Sequence, residues 1–154
     1  MNRTDRKMRL CVTLLVANVL FIWGNSMLPG SVSGAISGWV RDIILLLLPG
    51  DNVGSGTGHG LLRKAAHFTE FACLGALLAW LFSMLDKSVV LALLCAVTVA
   101  GIDETIQYFI PDRGPGIKDV LLDTAGALAG ITLVLLRCAF LKKSRKRVLE
   151  DTTT

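Results

Sequence analysis

The sequence predicts an all-α, polytopic membrane protein: four transmembrane helices with an interfacial or re-entrant helix on the outer side. Composition is the first observation behind this. The 154 residues are 53% hydrophobic and 18% charged, with a mean hydropathy of +0.60; a soluble domain runs at about 45–50% apolar and about 25% charged. Clustering is the second, because the excess lies in four long apolar runs separated by charge or by Gly and Pro. The third is the gathering of basic residues toward both ends. Together they exclude a disordered tail, a disulfide scaffold and an ordinary soluble enzyme. The organisation expected is a basic tail at 1–9, a membrane domain at 10–140 and a second basic tail at 141–154.

A spanning helix needs about 20 mostly apolar residues. The first run, Leu10 to Leu28, meets that and is interrupted by Asn18 and Asn25. Its basic flank and its Leu10–Trp23 core also have the layout of a signal peptide. No A-x-A-like site follows, which favours a retained span. The second run is Ala65 to Leu85, the third Ser88 to Ile110 and the fourth Val120 to Phe140. Between the first two, Trp39 opens a short run, Ile43 to Leu48, closed by Pro49-Gly50. It is too short to span, so 36–48 reads as a helix in the outer interface with Trp39 at headgroup level. Gly50 to Gly60 is glycine-rich and reads as a linker; it lacks the Gly-Lys-Ser/Thr of a phosphate loop.

Orientation follows from the basic residues. Eleven of the sixteen Lys and Arg lie in the first nine residues, at Lys87, or from Arg137 to Arg147. The positive-inside rule puts those segments, and so both termini, in the cytoplasm of a bacterial cell. The basic tail then serves topology and anionic lipid, and nucleic-acid binding is not expected, since no reading motif accompanies the charge. Cys11, Cys73, Cys95 and Cys138 each sit in an apolar run without Cys-x-x-Cys spacing, so they read as buried small hydrophobes.

The polar residues inside the spans fall in the outer halves of spans two, three and four. A charged side chain near a span's centre costs about 2.5–3.5 kcal/mol, so these should face one another or a hydrated cavity. Arg63, His67 and Glu70 share one helical face, with Lys64 beside them. Asp103 and Gln107 share a face with Ala96 and Ala100, and Glu104 is about 100° round from Asp103. Asp119, Asp123, Gly126 and Gly130 line a fourth face, ending in a Gly-x-x-x-Gly that admits close helix approach. Arg113, in the Pro- and Gly-rich loop 111–116, is expected at the membrane surface near these carboxylates. Ser26, at the end of span one, completes the candidate polar pocket. Each residue also has a plainer reading: His67 could simply hydrogen-bond Glu70 or a neighbouring helix, Asp123 could be a helix-packing polar group, and Asp103 and Glu104 could be neutral, protonated acids or form a structural network with Arg113 and Lys64. Their convergence on one end of a four-span bundle favours a site.

These residues also carry a family resemblance. Lys64-Ala-Ala-His-Phe-Thr-Glu-Phe-Ala-Cys-Leu-Gly75 resembles the Lys-x-x-His-Phe-x-Glu-Tyr-x-x-Leu-Gly signature of the VanZ family. Asp103-Glu-Thr-Ile-Gln-Tyr-Phe-Ile-Pro-Asp-Arg-Gly114, with Lys118-Asp-Val-Leu-Leu-Asp-Thr-Ala-Gly126, resembles its second, and Asn25-Ser26 its Ser-containing first motif. Phe71 stands where Tyr is usual and Asp123 where Asn is common. The family is named for an accessory protein of glycopeptide-resistance clusters associated with teicoplanin resistance, and it extends beyond those clusters.

Three functions compete at this stage. A cell-envelope binding protein would hold a membrane lipid headgroup, a lipid-linked wall precursor or a lipoglycopeptide, using Arg63, Lys64 and Arg113 on its anionic groups. A membrane-embedded enzyme on a lipid-linked substrate would use His67 as base or nucleophile, oriented by Glu70. Its metal version would recruit His67, Glu70, Asp103 and Asp123, a set suiting Mn or Mg better than Zn; without a His-x-x-x-His pair, no metal or cofactor is expected. A proton-coupled carrier is disfavoured, because Leu74–Leu85 and Val89–Ala100 offer no polar continuation. A four-helix bundle is thin, and the Gly126/Gly130 face could carry a homodimer.

Overall fold

The computed structural model describes residues 2–47, 58–114 and 116–151, and all regular structure among them is α-helical. In chain order the helices are α1 (Arg3–Ser26), α2 (Gly30–Leu47), α3 (Gly58–Met84), α4 (Val89–Tyr108) and α5 (Ile117–Asp151). Four of them, α1, α3, α4 and α5, are long and apolar enough to cross a membrane. Their outward faces carry exposed Leu20, Leu133, Leu136 and Phe140. Helices this apolar on their outer faces need lipid around them, so the chain is a multi-pass membrane protein.

Local chemistry sets the turns. Leu28-Pro29 ends α1, because the proline has no N–H to offer a further turn. The Gly30 N–H then donates to the Pro111 carbonyl at 3.2 Å, joining the α1–α2 corner to the α4–α5 loop. Gly30 lies so close to Asp112 that a Cβ would overlap its carbonyl, so only glycine fits. At the other end, Lys87 N–H donates to Phe82 O at 2.9 Å around Asp86, whose φ is +51°. This is a Schellman closure with Asp in the glycine-favouring place. Ser88 then caps α4 by accepting from Val90 N–H at 3.2 Å.

α3 is the hub, touching every other helix, and its seam with α5 is the most extensive. Beside it, Ala92, Ala96 and Ala100 present one small-residue face of α4 to a core of Ile22, Phe71, Leu74, Leu78 and Ile131. Seams of small residues let backbones close up where no hydrophobic force separates helix from lipid.

Several expectations change. The short helix read at 36–48 begins at Gly30 and runs 18 residues to Leu47. Pro29 and the tied Gly30 start it early, despite a Ser- and Gly-rich stretch of weak propensity. α3 begins at Gly58 and not at Ala65, so the helix that carries Arg63, Lys64, His67 and Glu70 starts earlier than the apolar run does. Both basic segments continue their helices, with α1 starting at Arg3 and α5 reaching Asp151. Cys11 is buried, but Cys73, Cys95 and Cys138 are exposed, Cys73 along the groove described below. Most of the glycine-rich linker, with Pro49 and Pro115, lies outside the described residues.

Candidate functional site

The polar residues of α1, α3, α4 and α5 meet at the end of the bundle that holds Arg113. His67, Glu70, Asp103, Glu104, Gln107, Arg113, Asp123 and Ser26 are all buried. Arg63 and Asp119 are half-buried, and Lys64 is exposed. The structure divides them between two chambers rather than one pocket.

The first chamber lies between α3, α4 and α5 and encloses about 180 Å³. Arg63 and Lys64 stand on its wall with His67, Glu104, Asp119 and Asp123. His67 Nδ1 is 4.0 Å from Asp103 Oδ2 and 4.0 Å from Asp123 Oδ1. Asp103 is held from behind: Gln107 Nε2 donates to its Oδ2 at 2.7 Å and to Ser26 Oγ at 3.2 Å. Glu104 Oε2 accepts the Gly116 N–H at 3.0 Å, which seats the start of α5, where a negative group suits the helix dipole.

The second chamber is a groove of about 580 Å³ between α1, α2 and α3. Phe21, Ile36, Val40 and Leu62 make its wall largely apolar, and Ser33 and Ser37 lie along α2. At its polar end Asn25 Nδ2 donates to Glu70 Oε1 at 3.0 Å. Arg63 lines both chambers.

Two expected roles change with this geometry. Arg113 is not a surface cation. Its Nε donates to Leu28 O at 3.1 Å and its Nη2 to Asn25 O at 2.9 Å. It bonds the last carbonyls of α1, where Asn25 O also accepts the Leu28 N–H at 3.3 Å, at the end of a helix that favours a cation. Burial pulls its pKa below the ordinary arginine value, and the neighbouring Arg63 adds to this. Glu70, for its part, is bonded to Asn25 on the groove side, while His67 faces Asp103 and Asp123. The sequence reading left Asn25 out of the pocket, although an amide in an apolar helix next to Ser26 was the signal for it.

Gly126 and Gly130 pack inside the chain. A Cβ at either would overlap the Phe68 or Ala72 carbonyl of α3, and one at Gly75 the Ala127 carbonyl of α5. A homodimer through that face would have to displace α3, so those glycines do not offer a second copy a surface.

Residues 11–140 match the family described as VanZ/LLP1. The chain belongs to the VanZ/LLP1 family. The match covers α3 and α4, most of α1 and α5, and every residue of both chambers. No match was found among curated proteins or among solved structures.

Proposed function

We propose that this VanZ-like protein sits in the bacterial cytoplasmic membrane with both termini inside, and binds an anionic amphiphile at the outer leaflet. The ligand class is a lipid-linked cell-wall precursor, a phospholipid or a lipoglycopeptide. One observation carries the reading: Arg63 is shared between a polar chamber and a largely apolar groove. A single ligand could lay its chain along Phe21, Ile36 and Leu62 and put its phosphate or carboxylate against Arg63 and Lys64. The groove's volume falls within the roughly 300–1,000 Å³ of ordinary ligand sites. The orientation rests on charge: the termini and Lys87 share the end opposite the chambers, and that end carries most of the basic residues.

The test is binding in phosphatidylcholine nanodiscs titrated with phosphatidic acid and followed by native mass spectrometry. Phosphatidic acid should bind in preference to added phosphatidylcholine, and Arg63→Gln should weaken it about tenfold, the loss of one charge-assisted contact. Equal retention of both lipids would contradict the reading. The family's association with teicoplanin resistance adds a cellular arm. Wild type should protect a sensitive host from teicoplanin more than from vancomycin, and Glu70→Gln should lose that protection at matched expression.

A second reading, a membrane-embedded enzyme on a lipid phosphate, is favoured by the placement of His67 between Asp103 and Asp123. In that case purified protein should release phosphate or diphosphate from a labelled lipid-phosphate substrate. Unchanged substrate after prolonged incubation would leave binding as the function.

A further inference from the structure

We propose that His67, Asp103 and Asp123 form a binding site for one divalent metal ion, with Mn²⁺ fitting the donor set best. The inference goes beyond the amphiphile reading and does not rest on it. The three residues come from α3, α4 and α5, and their ligand atoms lie within 4.8 Å of one another. All three are at least nine-tenths buried, with relative exposures of 7%, 0% and 1%. His67 Nδ1, Asp103 Oδ1 and Asp123 Oδ1 have no hydrogen-bond partner.

The spacing is what an ion would need. At 4.0 Å, His67 is too far from either carboxylate for a hydrogen bond. Ligands held about 2.0–2.2 Å from a small ion lie roughly 3–4 Å from each other. The two His67 separations lie at the upper end of that range and the third within 4.8 Å, so a small inward shift would bring all three onto one ion.

Charge points the same way. Among the described residues, the ion pairs of Asp103 and Asp123 are with His67 alone. Arg113, the buried cation nearby, gives its Nε and Nη2 to the Leu28 and Asn25 carbonyls and leaves Nη1 without a partner. A neutral imidazole and two carboxylates balance one doubly charged ion. Gln107 supplies the outer support usual for a ligating carboxylate, bonding Asp103 and Ser26 together. The chamber of about 180 Å³ beside the triad leaves room for water or a ligand oxygen to complete the coordination. One imidazole with hard carboxylates, and no thiolate, favours manganese among the common ions.

The test uses the untagged full chain, stripped with chelator, equilibrated with MnCl₂ and passed through gel filtration. Metal content and pulsed EPR are then measured. About one Mn²⁺ per chain is expected, with coupling to an imidazole nitrogen that shifts on ¹⁵N-histidine labelling. The chain has two histidines: His59→Gln should keep the coupling and His67→Asn should remove it. Loss of an outer-shell partner alone costs about 10–100-fold in metal affinity, so Asp103→Asn and Asp123→Asn should each cost at least tenfold. Wild-type protein that retains no Mn²⁺, or holds it without nitrogen coupling, overturns the proposal whatever the variants do. Full binding by His67→Asn overturns it too. Lipid binding is read separately, so either proposal can fail alone.

Discussion

α3 meets its neighbours in two different ways. Toward α5 the backbones touch, with Gly75, Gly126 and Gly130 each set against a carbonyl of the facing helix. Toward α1 and α2 the side chains stand apart and leave a groove of about 580 Å³. The sealed side fixes distances, and with them the 4.0 Å spacing of His67 and Asp123 across the α3–α5 seam. The open side leaves Phe21, Ile36 and Val40 along an apolar cleft. Under the binding function proposed above, the close seam would hold chemical groups in place and the groove would admit the ligand.

The largest expected effect breaks the sealed side. Gly130→Val puts a branched side chain into the Ala72 carbonyl, where backbone would have to move. Folded protein should disappear from fluorescence-detected size-exclusion profiles. Gly24→Val is its partner control, since nothing lies within 4 Å of a Cβ there, and its profile should match wild type. A normal Gly130→Val profile would mean that the seam is looser than described.

Next comes the tie between the α4–α5 loop and the end of α1. Arg113→Ala removes two hydrogen bonds to the end of α1. Bonds to charged groups contribute about 1.5–3 kcal/mol each, so unfolding in denaturant should show a loss of several kcal/mol. Arg113→Lys should recover part of it, because an ammonium cannot reproduce the guanidinium fork. A smaller effect should follow Asn25→Leu, which strands the Glu70 carboxylate at the groove's polar end. Interhelical hydrogen bonds in membranes are worth about 0.6–2 kcal/mol, and the same denaturation measurement checks that range. Smallest in stability is Ala66→Trp, on the groove wall. It should shift unfolding by less than about 0.5 kcal/mol, as an exposed substitution does, while blocking phosphatidic acid binding. A variant that still binds the lipid as wild type does would place the ligand elsewhere.

The fold class was legible because lipid-facing helices announce themselves by length and hydropathy. The spacing of Asp103 and Gln107 with Ala96 and Ala100 also marked the buried face of α4, since one period carries both packing and polar groups. What spacing along a single helix could not show was which neighbour each residue meets. Glu70 and His67 lie three apart on α3, yet one bonds Asn25 of α1 and the other faces α4 and α5. The same limit hid the role of Arg113, whose partners are backbone carbonyls 85 and 88 residues away. The early start of α2 was hidden because a tertiary bond from Gly30 to Pro111 overrides weak local propensity.

The central claim is that an amphiphile's chain occupies the α1–α2–α3 groove with its anionic head at Arg63. The most direct measurement is photolabelling with phosphatidic acid carrying a diazirine in its acyl chain, in phosphatidylcholine nanodiscs, with label sites mapped by peptide mass spectrometry. The account predicts label on Phe21, Ile36, Val40 and Leu62, competed by unlabelled phosphatidic acid and reduced by Arg63→Gln. Label spread equally over Leu133, Leu136 and Phe140 on the far face of α5, insensitive to competition, would contradict it.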